Sequence, residues 1–287
     1  MIDLQSEINR NVQSALREDL SDIGDLTVSL IPEEKRLRAE VITREDAILC
    51  GTQWFDACFL AVSPEIEINW FARDGDRVRC NEKLCDIQGR ARAILTAERS
   101  ALNFLQMLSA VATQTKCFAD EVAGTAAKIV DTRKTLPGLR IAQKYAVKCG
   151  GGVNHRLGLY DGILIKENHI IAAGGIAAVV KKAQIISASA AFVQIEVETL
   201  AELEQALNAG AEMILLDNFT LEQTRQAVSM TQRHSDKKIL LEASGNVTLQ
   251  NVRQLAETGV DRISIGGLTK NIQAIDLSLR LDETFAR

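Results

Sequence analysis

Apolar side chains at Leu4, Ile8, Val12, Ala15, Leu16 and Leu20 recur at helical spacing among charged and amide residues, which predicts an amphipathic helix over 4–20. The period then changes. Leu37 to Thr43 and Glu65 to Phe71 alternate in the manner of half-buried strands, with Asp74-Gly75-Asp76 as a turn between strand-like runs. Helical spacing returns over about 93–122, where Leu95, Leu102, Leu105, Leu108 and Val111 form an apolar stripe. The first third therefore reads as an α+β domain.

After Gly124 short β-rich apolar runs alternate with helical stretches, the pattern of repeated βα units. The predicted strands are 128–131, 162–166, 193–196, 213–217, 239–242 and 262–265, and the predicted helices lie near 172–186, 200–209, 221–233 and 249–257. Nearly every strand ends in a polar or glycine cluster: Asp131-Thr132-Arg133-Lys134, Lys166-Glu167-Asn168-His169, Glu196-Val197-Glu198, Asp217-Asn218, Glu242-Ala243-Ser244-Gly245-Asn246 and Gly266-Gly267. In a parallel α/β barrel these ends share one face, where active sites are built. Six strands fall short of the eight of a complete barrel, so an incomplete barrel is expected; a doubly wound open sheet would also bring its ligands to the strand ends. The chain has no G-x-G-x-x-G after a strand and no G-x-x-x-x-G-K-[ST], which removes two common nucleotide cradles.

Composition narrows the classes. The 287 residues suffice for one large domain or two ordinary ones, and 46% apolar with 25% charged residues argues against disordered and fibrous classes. The formal charge of -5 gives no support to a broadly positive nucleic-acid-binding surface, so any anion site must be local. No apolar run reaches the ~18 residues of a membrane-spanning helix, and the N-terminus lacks the basic stretch and apolar core of a secretory signal, so a cytoplasmic protein is expected. Six cysteines without a C-x-x-C pair read as small core residues, not as a disulfide framework or a zinc site.

The densest cationic group is Arg133 and Lys134, then Lys144, Lys148, His155 and Arg156, with Lys166 at the next strand end. Lys144 and Lys148, four apart, fit a solvated helix face as well as a site. Arg133, Lys134 and Lys166 stand at or just past apolar runs, where a charge needs an anion or a paired carboxylate. Their convergence points to a polyanionic ligand. Gly150-Gly151-Gly152 permits close backbone approach before Val153-Asn154-His155-Arg156, or is simply a flexible loop. His169 fits a helix start, and His234 fits an inert polar loop. Glu196 and Asp217 end successive strands; they either neutralise Lys134 and Lys166 or hold Mg²⁺ through water and accept from sugar hydroxyls, with Glu198 a competitor by the period of two. Ser244-Gly245-Asn246, before a helix expected near Thr248, and Gly266-Gly267, before Lys270, offer free backbone N–H groups for a phosphate.

Taken in order, these segments resemble the quinolinate phosphoribosyltransferase family. The likeness is carried by Asp131 to Arg140, Lys144-Tyr145, Gly150 to Arg156, Leu164 to His169, Ile195 to Glu198, Leu216 to Phe219, Glu242 to Asn246 and Ile263 to Thr269. Gly24-Asp25-Leu26-Thr27 and Ala97 to Asn103 extend it toward the N-terminus. The resemblance implies an α/β protein with a sandwich-like N-terminal domain over 1–111, an incomplete, open TIM-like α/β barrel over 112–269, and a C-terminal helix over 270–287 packed back on the first domain. It implies that quinolinate and phosphoribosyl pyrophosphate give nicotinate mononucleotide, pyrophosphate and CO₂ with Mg²⁺, in a homodimer. Arg133, His155 and Arg156 would grip the quinolinate carboxylates, joined by Arg99 from the neighbouring subunit. Lys134 and Lys166 would serve the pyrophosphate and bound substrates, Glu196 and Asp217 the ribose hydroxyls and metal, and Ser244, Gly245, Asn246 and Gly266 the 5-phosphate. Two other readings of the residues are a Schiff-base aldolase or isomerase with Lys166 as its amine, and a non-catalytic sensor of phosphorylated metabolites.

Overall fold

The first amphipathic stretch is helix α1 (Leu4–Leu20) in a computed structural model that describes residues 3–186, 190–234 and 239–282. Asp3 caps it by accepting the Gln5 N–H, and Ile8 and Val12 are buried as the periodicity requires. The chain folds as two units, the first comprising Met1–Lys116, Leu136–Gly150 and Thr269–Arg287.

In the first unit β1 (Arg36–Thr43) and β2 (Ala47–Ile48) lead to α2 (Thr52–Val62), which buries Trp54, Phe55, Cys58 and Phe59. The buried Trp54 indole donates to Asn11 Oδ1 of α1 at 3.1 Å. Strands β3 (Glu67–Trp70), β4 (Arg77–Val78) and β5 (Lys83–Arg90) follow. Strand β5 pairs antiparallel with both β1 and β3, while β2 and β4 form a separate ribbon. The long helix α3 (Ala91–Glu121) then carries the chain toward the second unit, and α4 (Arg140–Cys149) returns to the first. Beside the single boundary expected at 111/112, the chain passes between the units four times, after Lys116, Thr135, Gly150 and Leu268. Helix α4 belongs to the first unit because Ala142, Ala146 and Val147, one apolar stripe, are buried there.

The second unit, Cys117–Thr135 with Gly151–Leu268, is built on six parallel strands: β6 (Lys128–Val130), β7 (Ile163–Ile165), β8 (Val193–Val197), β9 (Met213–Asp217), β10 (Leu240–Ser244) and β11 (Arg262–Ser264). Helices α5 (Glu167–Ala173), α6 (Ile176–Ile186), α7 (Leu200–Asn208), α8 (Leu221–His234) and α9 (Val252–Ala256) connect them. The sheet order is β6-β11-β10-β9-β8-β7. Strands β7 to β11 run in sequence without reversal, and the first strand, β6, lies beside the last. A doubly wound sheet reverses its order at a switch point, whereas this is the circular order of a barrel interrupted between β6 and β7. Burial is near-continuous along β9, as expected of a parallel strand covered on both faces.

The expected C-terminal helix is not formed. After the short α10 (Gly267–Lys270), the chain enters β12 (Leu277–Leu281), antiparallel to β1 with Thr43 opposite Leu277 and Ala39 opposite Leu281. The alternation of Ile275, Leu277, Leu279 and Leu281 with Asp276, Ser278 and Arg280 has a period of two, which suits the open edge of β1. Residues 283–287 of that expectation lie outside the described residues.

Candidate active site

The site is assembled in the second unit from buried polar groups upward. Asp131, just after β6 and fully buried, accepts the His155 backbone N–H at 2.9 Å and Asn154 Nδ2 at 2.5 Å. These bonds fix the segment that follows the glycine run. Within that run, Gly150 belongs to the first unit and is required by packing, since a Cβ there would lie 2.3 Å from the Ala112 carbonyl oxygen. Gly151 has a φ of +88°, which favours glycine. Gly150 is therefore used for packing and Gly151 for turning.

His155 is buried, and both ring nitrogens are engaged. The Arg156 backbone N–H donates to Nδ1 at 2.8 Å, so the ring proton belongs on Nε2, which lies 2.8 Å from Gln194 Oε1 and 3.7 Å from Glu242 Oε1. Phe192 packs edge-on against the ring. In this arrangement Nδ1 is occupied by the Arg156 backbone and Nε2 by Gln194. Glu242, fully buried, accepts from Arg262 Nε at 3.0 Å. Gln194 Nε2 and Glu242 Oε1 are buried with no hydrogen-bond partner.

Above this support stand two guanidiniums. Arg156 donates through Nη1 to the Gly162 carbonyl at 3.0 Å, and its ordinary high pKa is lowered, first by burial and then by the charge of Arg133. Arg133 Nε is itself buried without a hydrogen-bond partner. Two like charges held together in partial burial are unfavourable until an anion reaches them. A dicarboxylate suits this arrangement because guanidinium forks match carboxylates in plane and charge.

The acids stand at the neighbouring strand ends. Lys166, exposed at the end of β7, forms an ion pair with Glu196 Oε2 at 2.9 Å. Glu196, Glu198 and Asp217 each bring a carboxylate oxygen within 4.8 Å of the others. Their common side follows from register, because Glu196 pairs with Leu215 and Asp217 lies two residues further along β9. Burial and then the Glu196 charge raise the Asp217 pKa, against the opposing pull of Lys166 and Lys134. The exposed Glu198 is also raised, chiefly by Glu167. The Lys134 stem runs so close to Gly266 that a Cβ there would fall 2.9 Å from Lys134 Cδ.

Ser244 ends β10 opposite Asp217, and its carbonyl accepts the Asn218 N–H at 2.9 Å. Gly245 (φ +100°) and Asn246 (φ +50°) follow in the left-handed region, and a Cβ on Gly245 would meet Asn218 Oδ1 at 2.1 Å. The helix expected from about Thr248 starts only at Val252, because Thr248 to Asn251 form a turn in which Asn251 bonds to both the Thr248 N–H and the Asn246 carbonyl. The anion cradle expected at Ser244, Gly245 and Asn246 would thus be a loop. His169 does start a helix: its Nδ1 accepts the Lys166 N–H at 3.0 Å. His234 closes α8 instead of lying in a loop.

Three expected candidates lie in the first unit, Arg99, Lys144 and the exposed Lys148. Arg99, exposed on α3, lines a cavity of about 390 Å³ with Arg10, Asn103, Leu139 and Gln143. Lys144, which fitted a solvated face, is 1% exposed. Sequence reasoning gave no role to Asp131, Gln194, Glu242 and Arg262. The available signal was a polar side chain inside or directly after an apolar run, as in Val193-Gln194-Ile195 and Leu241-Glu242-Ala243.

Residues 25–109 match the family description "Quinolinate phosphoribosyl transferase, N-terminal domain", and residues 111–280 match its C-terminal domain. A quinolinate phosphoribosyltransferase [decarboxylating] from Nicotiana tabacum is 40% identical, covering 96% of this chain and 82% of its own length. A probable nicotinate-nucleotide pyrophosphorylase [carboxylating] from Bacillus subtilis is 39% identical, covering 91% of this chain and 89% of its own length. Among solved structures, the nicotinate-nucleotide pyrophosphorylase from Francisella tularensis superposes with a TM-score of 0.92 at 44% identity, over 98% of each chain.

Proposed function

This chain belongs to the quinolinate phosphoribosyltransferase family, and on that premise we propose that it is a decarboxylating pentosyltransferase of NAD biosynthesis that joins quinolinate to phosphoribosyl pyrophosphate. The products are nicotinate mononucleotide, pyrophosphate and CO₂. The observation that carries this assignment of roles is the pair Arg133 and Arg156, two partly buried guanidiniums of which one keeps a buried, unpartnered Nε.

Arg133 and Arg156 hold the two carboxylates of quinolinate, with His155, Asp131 and Gln194 fixing Arg156 from below. Lys134 and Lys166 receive the pyrophosphate as its bond to ribose C1 lengthens, and Glu196 and Asp217 accept from the ribose hydroxyls and stabilise the positive charge that develops on the sugar. The turn at Ser244, Gly245 and Asn246, with Gly266, holds the 5-phosphate. The pyridine nitrogen attacks C1. Once alkylated, that nitrogen is cationic and stabilises the carbanion left on the adjacent ring carbon when the carboxylate departs as CO₂; a proton then takes up that electron pair and forms the C–H bond. Fixing both reactants side by side supplies orientation, on the order of several kcal/mol of the barrier.

The oxygen-only set of Glu196, Glu198 and Asp217 fits a hard divalent cation, and the upward shift of Asp217 marks excess negative charge there. These residues would hold Mg²⁺, which when bound neutralises charge on the departing pyrophosphate. A homodimer in which Arg99 of one subunit completes the quinolinate site of the other is supported by the exposed position of Arg99 and by Ile23, Leu26 and Leu30, apolar side chains that are 73–83% exposed. The ion pair of Lys166 with Glu196 disfavours a neutral Schiff-base lysine. Incubation with Mg²⁺, quinolinate and phosphoribosyl pyrophosphate yields nicotinate mononucleotide by chromatography and mass; recovery of both substrates unchanged would overturn the assignment.

A further inference from the structure

The cysteines formed no pair by spacing, yet the fold of the first unit brings Cys50 and Cys149 together. Their sulfurs lie within 4.8 Å of one another and of an Asp74 carboxylate oxygen. Both backbones are fixed. The Cys50 N–H donates to Ser109 Oγ at 2.9 Å and its carbonyl accepts from the same hydroxyl, while Cys149 closes α4 just before Gly150, the residue with no room for a Cβ. Asp74 is already committed: Oδ1 accepts the N–H groups of Gly51 and Thr52 at the start of α2, and Oδ2 accepts from the Tyr145 hydroxyl at 2.8 Å. Its lone pairs are directed to the helix and the phenol, which favours sulfur chemistry over a cation's ligand shell.

The two thiols differ in access and in acidity. Cys50 is fully buried, and burial pushes its thiol well above the ordinary range. Cys149 is half-buried, and the hydrogen bond from Cys50 holds its thiol below the ordinary value. A half-buried cysteine whose thiol is held below its ordinary value, within reach of a sheltered second thiol, is the arrangement of an oxidant-reactive sulfur with a resolving partner.

We propose that Cys149 and Cys50 form an oxidisable dithiol that reduces a hydroperoxide and closes to a disulfide within the first unit. The Cys149 thiolate attacks one peroxide oxygen; an S–O bond forms, the O–O bond breaks, and the other oxygen leaves as an alcohol or water after taking a proton. Cys50 then attacks the sulfenic sulfur; the S–S bond forms, the S–O bond breaks, and water departs. Two thiols are oxidised and one peroxide is reduced by two electrons. The modification does not depend on the catalytic assignment above.

The intact, reduced protein is exposed to hydrogen peroxide, its remaining thiols are alkylated under denaturing conditions, and its peptides are mapped by mass spectrometry. The expected result is a Cys50–Cys149 cross-linked peptide, a fall in titratable thiols from the six free cysteines to four, and reversal by dithiothreitol. In Cys50→Ala, Cys149 should be captured as a sulfenic acid by dimedone, with no cross-link. The wild-type map decides the matter even if that variant folds poorly. Oxidation confined to the exposed Cys80 and Cys117, with Cys50 and Cys149 both alkylated, would overturn the proposal.

Discussion

Both units bury polar side chains, Asn11, Gln143 and Lys144 in the first and Asp131, Gln194 and Glu242 in the second, but they set them in different surroundings. The first fills its interior with Trp54, Phe55, Phe59, Leu84 and Ile87, all fully buried, and its sheet is stapled by the C-terminal strand. The second buries Asp131, Gln194 and Glu242 just as completely, along and beside the strands whose ends carry Arg133, Arg156, Lys166, Glu196 and Asp217. Apolar burial contributes about 1.5–3 kcal/mol per large side chain. A buried ion pair contributes little net stability, although breaking one is costly. The second unit thus gives up stability in its interior to keep a set of charged side chains at fixed positions, as the function proposed above requires.

Substitutions at the polar support break the contrast most sharply. Glu242→Ala leaves Arg262 and His155 facing an uncompensated cavity, and a loss of about 3–5 kcal/mol is expected in urea unfolding. Replacing both partners, as in Glu242→Leu with Arg262→Met, should recover most of that stability while kcat/KM stays depressed, because His155 loses its surroundings. Recovery of activity along with stability would show that the network is there for the fold alone.

Gly245→Ala should act on one substrate. The positive φ and the 2.1 Å approach to Asn218 Oδ1 impose strain of about 1–3 kcal/mol, read as a roughly tenfold or greater rise in KM for phosphoribosyl pyrophosphate with little change for quinolinate. Equal effects on both would place the cradle elsewhere.

The smallest effect is electrostatic. The pKa of Asp217 is raised on folding, so between its unfolded value and the raised folded value the native state holds the extra proton. Its contribution therefore favours folding below that window and diminishes as pH rises through it, so Asp217→Asn should slightly raise the neutral-pH melting temperature of the ligand-free protein. The same variant should lose the upward shift that Mg²⁺ and phosphoribosyl pyrophosphate give the wild type. A lower melting temperature in Asp217→Asn without ligands would reverse the assigned sign.

Much of this arrangement was legible in the residues. Helix α1 and strand β9 match the expected 4–20 and 213–217, because each has a single clean period bounded by polar residues. The strand-end charges were readable because Arg133, Lys134 and Lys166 interrupt or terminate apolar runs. Strand β5 was missed because Lys83, Asp86, Gln88 and Arg90 dilute its buried positions Leu84, Cys85, Ile87 and Gly89. Strand β12 was missed because its short alternation was read as helix. The support beneath Arg156 was illegible for a different reason: Glu242 meets Arg262 only through the register of β10 with β11, and Gln194 meets His155 across 39 residues, neither of which a linear pattern encodes.

In the function proposed above, Arg133, with its buried and unpartnered Nε, is held in place for a substrate carboxylate. Calorimetric titration of quinolinate into wild type and Arg133→Ala, with thermal unfolding measured in parallel, tests it most directly. Arg133→Ala should lose affinity on the order of 100-fold, about 3 kcal/mol, with the melting temperature preserved. Unchanged quinolinate affinity in a folded Arg133→Ala protein would contradict it.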